Sequence, residues 1–456
     1  MTAVHAAPKQ AGRVPGPPRT ATMSMLMKMA KDRLTVMSTV SAQYGDAVRL
    51  PLGPKTLYFF NHPDHAKHIL ADNAANYQKG IGLVHARRVL GDGLLTSEGE
   101  VWRKQRKVIQ PAFQAKRISK QFGVVVEEAM KLVSRLKAHD GGDPVDMREV
   151  MTDLSLGVLG RTLLNADLTG FTSLADAFEA VQDQAMFEMM SLNAVPLWFP
   201  LPKQRAFHKA DEYLQRVVDQ LVAERSAKPV GDGDDVLSRL IVSANEEADP
   251  KVGRQRLRDE LITLLLAGHD TTASTLGWAL YLIDKNPHVW ERMHAEAVEA
   301  FSGGELVYED LHRLTYTTMV LEEVMRLYPP VWLLPRSAVA EDEIGGYRVP
   351  AGADVLICPY TMHRHPAFWP DPDRFDPDRF DPSRTMERPR YAYIPFGGGP
   401  RFCVGNNLGM MEATIVLAAL AKDLHLSLVP GYEVIAEPML TLRARGGLPM
   451  TVHCVK

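Results

Sequence analysis

Apolar residues recur at three- and four-residue spacing along most of the chain, the period of helices that bury one face. This spacing predicts helices over 103–108, 119–136, 174–192, 205–226, 254–284, 287–301, 308–327 and 405–424, many with Pro or Gly near their ends. Alternating patterns are scarce. Residues 48–60, VRLPLGPKTLYFF, read as two short strands joined through Gly53 and Pro54, and further strands are expected at 347–358 and near the C-terminus. The expected class is mainly α with a small β-region.

The stretch 261–283 is apolar enough to raise the question of a membrane span, but its centre answers it. Gly268, His269, Asp270, Thr271, Thr272, Ser274 and Thr275 sit there, and an ionisable group in hydrocarbon is costly without a partner. A long buried helix with a polar middle is expected instead, about 45 Å long at about 1.5 Å per residue. Residues 23–37 are Met-rich yet carry Lys28, Lys31, Asp32 and Arg33, which fits an amphipathic surface helix or channel-lining element and no membrane span. Residues 1–20 contain Pro15, Pro17 and Pro18 and read as a flexible arm, and GDGDD at 231–235 reads as a surface loop. With no repeat and no long linker, 21–456 is expected to be a single domain.

Composition narrows the class. At 46% hydrophobic and 23% charged the chain is neither disordered nor fibrous, and a net charge of −3 gives no basis for nucleic-acid binding. Three cysteines, Cys358, Cys403 and Cys454, lack metal-type spacing and fit a reducing, cytoplasmic setting.

Candidate chemistry concentrates at Phe396-Gly-Gly-Gly-Pro-Arg-Phe-Cys403-Val-Gly405, a glycine-rich loop that delivers a cysteine directly before a helix. The pattern F-x-x-G-x-R-x-C-x-G, filled by Phe396, Gly399, Arg401, Cys403 and Gly405, resembles the haem-ligand loop of the cytochromes P450. Glycines let the backbone pass close beneath a flat macrocycle, and amides at a helix N-terminus favour a thiolate, so Cys403 is expected to be anionic. As single cysteines, Cys358 and Cys454 read as small hydrophobes.

A second segment, Ala267-Gly268-His269-Asp270-Thr271-Thr272, is similar to the family's oxygen-activation segment, A-G-x-D/E-T. Gly268 is expected to leave room for a ligand beside the helix. The Thr271 hydroxyl can reach the Ala267 carbonyl four residues back, and Asp270 beside an alcohol supplies a proton path. Asp270 and Thr271 are therefore the candidate catalytic residues, while His269 is given no role. Glu323 and Arg326 stand three apart on one helix face. With Arg379 of Pro377-Asp378-Arg379-Phe380, the resemblance implies a structural triad, although the family usually has Glu where this chain has Asp378.

Trp102 and Arg106, at i and i+4, resemble the family's propionate-binding helix. Arg106, Arg401 and Arg336 are the candidate cations for two haem carboxylates, with the Trp102 indole as a donor and Phe396 as a further haem contact. A solvated surface arginine is the competing reading of Arg336. By family register Ala267, Val331, Trp332, Leu333 and Leu440 line a largely apolar substrate pocket.

The resemblance spans the chain from about Tyr44 to the C-terminal strands. It implies the triangular, helix-rich prism of the family around haem b (iron protoporphyrin IX), and a monooxygenase using dioxygen to hydroxylate or otherwise oxidise a small hydrophobic substrate in secondary or lipid metabolism. Electrons are expected from a separate ferredoxin or flavodoxin with its NAD(P)H-dependent reductase, docking where Arg103, Lys104 and Lys107 face solvent. A peroxide-driven haem-thiolate hydroxylase and a non-catalytic haem sensor are the competing functions.

Overall fold

A computed structural model describes residues 12–455 apart from 53–54, 228–234, 305 and 385–387. The chain forms two compact units, each made from three segments: 1–81, 333–372 and 388–402 in the first, and 82–332, 373–387 and 403–456 in the second.

The first unit holds a five-stranded sheet. Strands β1 (Ala47–Leu52), β2 (Lys55–Phe60), β3 (Tyr77–Lys79), β4 (Leu334–Ala338) and β5 (Asp354–Ile357) lie in the order β1-β2-β5-β4-β3. Strands β2 and β5 pair in parallel, Leu57 against Asp354 and Phe60 against Ile357, and the other neighbours are antiparallel. Phe60, Ile69, Leu70, Val355 and Ile357 share its core. Both strands of the expected hairpin are present, while Gly53 and Pro54 lie outside the described residues.

The single amphipathic stretch expected over 23–37 is two helices, α1 (Thr22–Lys31) and α2 (Arg33–Tyr44). Asp32 between them leaves the helical backbone, and its carboxylate accepts from the Thr35 amide at 3.0 Å and hydroxyl at 2.6 Å, capping a new helix. The expected arm lies outside the described residues as far as residue 11. Beyond it the chain is anchored: the Gly12 amide donates to Gly346 O at 2.8 Å, the Arg49 amide donates to Pro15 O at 2.7 Å, and Val14 is buried.

The second unit is helical: α3 (Leu83–Leu90), α4 (Gly99–Ile109), α5 (Ala115–Lys137), α6 (Met147–Leu159), α7 (Leu174–Ser191), α8 (Pro202–Ala227), α9 (Val236–Asn245), α10 (Pro250–Asp284), α11 (Pro287–Ala300), α12 (Thr315–Leu327) and α13 (Asn406–Asp423). Helices α3, α6 and α9 had no counterpart in the sequence reading, although α6 buries Met147, Met151, Leu154 and Val158 at helical spacing. The helix expected over 308–327 is broken. Glu296 of α11 accepts from the amides of Tyr316 and Thr317 at 2.5 and 2.8 Å, so α12 starts afresh at an acceptor supplied by another helix. Of the expected loop at 231–235, residues 231–234 lie outside the described residues, and Asp235 caps α9 by accepting from the Ser238 amide at 2.7 Å.

Helix α10 organises this unit. Asp249 caps it, Pro250 occupies its first position, and the helix runs for 35 residues without interruption. Among the described residues no helix is long and apolar enough to cross a membrane. Gly268 sits where α6 presses closest, since a Cβ there would lie 1.9 Å from Leu159 Cδ1. The room Gly268 was expected to leave for a ligand is thus taken by a leucine, and the glycine serves helix packing. Two short β-regions complete the unit: Val145–Asp146, Pro449–Cys454 and Leu424–Leu428 in one, and the pair Ala436–Pro438 and Leu442–Ala444 in the other.

Candidate active site

The cysteine loop begins in the first unit. Gly399 takes φ +64°, and a Cβ there would lie 1.7 Å from Leu70 O, so backbone shape and close approach both require glycine. The turn closes with the Phe402 amide on Gly399 O at 3.1 Å, the Phe396 and Phe402 rings stand 6.3 Å apart, and Arg401 is half-buried. Arg336 is buried on β4 and donates to Pro335 O at 2.9 Å.

Cys403 opens the last segment of the second unit, directly before α13. Its side chain is reachable from solvent, yet burial pushes its thiol up, while the amides of Gly405 and Asn406 and the nearby Arg106 guanidinium act in the opposite direction. Those two amides and the guanidinium are the groups that would stabilise the expected thiolate. A metal ion bonded to the sulfur would reverse the balance, because coordination removes the thiol proton. A thiol that is both desolvated and reachable lies in a recess. Cys358, by contrast, is fully buried and pushed up to about 11 by burial.

Helix α4 presents Arg106 towards that recess. Gln105 and Ile109 are buried, Trp102 and Arg106 are half-buried, and Arg106 Nε donates to Gln110 Oε1 at 3.1 Å. Burial lowers the Arg106 pKa and the Cys403 charge raises it. On the outer face Arg103 pairs with Glu100, Lys104 pairs with Glu247 at 2.6 Å, and Lys107 is exposed.

Helix α10 has an opening at its middle. Residues 261–266 are buried, Ala267 is exposed, and Thr271 one turn on is half-buried. The Thr271 hydroxyl donates to Ala267 O at 2.8 Å, as its spacing predicted, and Thr272 donates to Gly268 O at 3.2 Å. Asp270 has a partner far along the chain. Its carboxylate accepts from the Thr441 hydroxyl, and it shares a helix face with Ser274 and Trp278, which both donate to Leu442 O, at 2.5 and 2.8 Å. His269 is a satisfied core residue: buried, with Nδ1 2.6 Å from Leu265 O, its ring 5.0 Å from that of Phe178, and its pKa lowered by burial.

Two further contacts hold the chain beside the residues expected to line the substrate pocket. Trp332 is buried with Nε1 donating to Met439 O at 2.9 Å, and the Leu442 amide donates to Pro330 O at 2.9 Å. Val331 and Leu440 are thereby tethered by their neighbours, both half-buried, in the unit that holds Ala267. The Trp332 indole acts as a strut between two chain segments. Leu333 belongs to the first unit and is half-buried there.

One recessed thiol flanked by two amides and an arginine suits a cofactor that brings its own metal. Among the described residues no group of three His, Cys, Asp or Glu could hold a bare metal ion. The donor set fits haem, with Cys403 to the iron and Arg106 to a carboxylate. Residues 14–444 match the family model described as Cytochrome P450. The chain belongs to the cytochromes P450. Cyclooctatin synthase of Streptomyces melanosporofaciens is 37% identical over 419 residues, 91% of this chain and 90% of the relative. Cyclooctat-9-en-7-ol 5-monooxygenase of the same organism is 33% identical over 390 residues, 85% of this chain and 84% of the relative. A crystal structure of the cytochrome P450DA heme domain superposes with a TM-score of 0.86 at 25% identity, covering 98% of this chain and 99% of that one. The protein is accordingly a cytochrome P450 monooxygenase with the fold of that family, and the family implies haem.

In this cytochrome P450 the predicted triad residues meet. Glu323 and Arg326 are fully buried, with Arg326 Nε and Nη2 donating to the two Glu323 oxygens at 2.6 and 2.8 Å. Arg379 Nε lies 3.5 Å from Glu323 Oε1, which also accepts from the Asp376 amide at 2.8 Å, and Arg326 donates to Arg374 O at 3.0 Å. Burial raises the Glu323 pKa and Arg326 lowers it. Asp378, the departure from the family pattern, forms a two-pronged pair with Arg292 at 3.0 Å for each bond. Sequence reasoning missed Thr441 and Ser274. The spacing of Asp270, Ser274 and Trp278 along an apolar helix was the available signal.

Proposed function

We propose that this cytochrome P450 binds haem b through Cys403, with Trp102, Arg106, Arg401 and Arg336 serving its propionates and Phe396 as a further haem contact, and oxidises a largely apolar small molecule of terpenoid type. The observation that carries this reading is the exposed Ala267 within a buried helix, in the unit where Val331 and Leu440 are held half-exposed and apolar. One relative is named for oxygenating cyclooctat-9-en-7-ol, an unsaturated alcohol, which supports a terpenoid substrate and a place in secondary metabolism. Haem on a thiolate supplies dioxygen activation at the expense of two electrons and two protons.

The protein's own contribution is the control of protons. Thr271 holds its hydroxyl proton on Ala267 O at rest, leaving its lone pairs to accept from a ligand in the opening. Asp270 draws on Thr441, so the proton supply to the helix centre runs through that pair. Glu323, Arg326 and Arg379 hold the 373–380 segment and touch no substrate. Electrons come from a separate cytoplasmic ferredoxin or flavodoxin with its NAD(P)H-dependent reductase. Residues 21–456 act as one domain, and heating should give one cooperative transition.

The test is a titration with terpenoid alcohols. Binding of a substrate beside the haem would shift its absorption spectrum, and with a ferredoxin and reductase the compound should give a product one oxygen atom heavier. Spectral silence across such compounds, with a response to polar or peptide-derived ones, would overturn the substrate class.

A further inference from the structure

The run His62-Pro-Asp-His65-Ala-Lys-His68 sets three imidazoles three residues apart, a spacing that the monooxygenase reading leaves unused. In the first unit these histidines, with Asp46, Asp64 and Gly345, line a cleft of about 380 Å³. The His62 and His65 rings stand 5.3 Å apart. Both are held in place, since Phe60 meets the His65 ring edge-on and Phe368 meets the His62 ring likewise, each at 5.3 Å. Gly345 closes on the same ring: at φ +57°, a Cβ there would lie 2.2 Å from His65 Nε2. His65 Nδ1 is buried and has no hydrogen-bond partner, a state that native structures seldom leave unused. Burial and the neighbouring His62 lower the His65 pKa, which keeps a nitrogen lone pair available at neutral pH. Carboxylates stand behind two of the rings. His62 Nδ1 lies 3.7 Å from Asp64 Oδ2, and His365 Nε2, whose ring is 6.4 Å from that of His62, lies 2.9 Å from Asp46 Oδ1.

We propose that this cleft binds a divalent transition-metal ion through His62 and His65, with water in the remaining positions and Asp46 and Asp64 as outer carboxylates. Bonds of about 2 Å from two imidazoles to a tetrahedral ion such as zinc set the ring centres about 5 Å apart, which is the spacing of this pair. Calcium and magnesium fit less well, because they take oxygen ligands. Among the described residues no three such groups converge as the side chains stand, so two imidazoles carry the ion and it exchanges with solution. Carboxylates behind ligating rings orient them and raise their basicity. The cross-strand pair His425 and His453 is wider, at 6.3 Å between rings, and serves as the comparison. The inference goes beyond the monooxygenase reading and holds whatever the substrate is. Its consequence is a first unit whose stability follows the supply of metal.

The test is calorimetric titration of the haem-loaded, untagged chain with Zn²⁺ after loose metal has been removed with a chelator. The expected result is one zinc bound per chain and a denaturation midpoint that rises with zinc concentration. His62→Gln with His65→Gln should weaken binding about tenfold or more and remove that rise, with an unchanged ferrous carbonyl band. His62 is partly exposed, so His62→Gln alone tests the same point if the double variant fails to accumulate. His425→Gln with His453→Gln should bind zinc as the parent does. No binding by the parent below about 1 mM zinc, equal binding by either His62 variant, or loss of binding in the His425→Gln, His453→Gln variant would overturn the proposal.

Discussion

Two polar regions lie inside the helical unit, and they are finished differently. Around Glu323 every acceptor is engaged: two bonds from Arg326, one from the Asp376 amide and an arginine at 3.5 Å, all away from water. At the centre of α10 the polar groups are also bonded, yet Ala267 is exposed and Thr271 half-exposed. A saturated buried network has no capacity left for a ligand and serves the fold. A bonded but reachable hydroxyl can exchange its partner for a ligand, which is what chemistry requires. Burial of polar residues therefore does not mark an active site; reachability within burial does.

The sharpest way to break the comparison is to unpair the saturated region. Glu323→Gln leaves Arg326 buried without its counter-charge, a loss on the order of 3–5 kcal/mol, so the variant should fail to accumulate as folded protein. Chemical denaturation checks this, and a midpoint like the parent's would show that the network is not structural. Thr271→Ala acts on the open region with the opposite signature. Folding and substrate-induced spectral change should persist, while product per NAD(P)H falls several-fold and hydrogen peroxide rises. Unchanged coupling would remove the role given to Thr271.

Glu260 and Glu412 form an intermediate case, buried carboxyls each with an oxygen that has no hydrogen-bond partner. Burial is the main cause that pushes both up to about 8 from 4.5. Each binds its proton more tightly in the folded chain, so its contribution to stability is complete below about pH 4.5 and is lost as pH rises towards 8. Glu260→Gln with Glu412→Gln should flatten the fall in denaturation midpoint between pH 5 and 8. An unaltered slope would show that neither holds a proton at neutral pH. The smallest effect belongs to the outer face of α4. Arg103 and Lys104 are already paired with Glu100 and Glu247, so Arg103→Glu with Lys107→Glu should slow reduction by a ferredoxin only about twofold, at low salt. Equal rates would place the donor elsewhere.

What could be read from the sequence was local. The Thr271–Ala267 bond, the Glu323–Arg326 pair and the glycine at 399 follow from spacings of two to four residues or from a motif, and most helices followed from their apolar period. What escaped depended on partners far along the chain. Asp270 and Thr441 are 171 residues apart, Gly268 answers to Leu159, and Glu296 breaks the helix expected at 308–327. The cap at Asp32 was local and could have been read from the Asp-x-x-Thr spacing. The amides at the start of α13 that act on Cys403 were visible in the sequence, and the depth of the recess around its sulfur was not.

That recess carries the central claim, and the ferrous carbonyl spectrum of Cys403→Ser tests it most directly. The parent, Cys358→Ser and Cys454→Ser should all give the strongly red-shifted band of a thiolate-ligated haem, and Cys403→Ser should lose it. The same band in Cys403→Ser would contradict the assignment of the iron ligand and the site built around it.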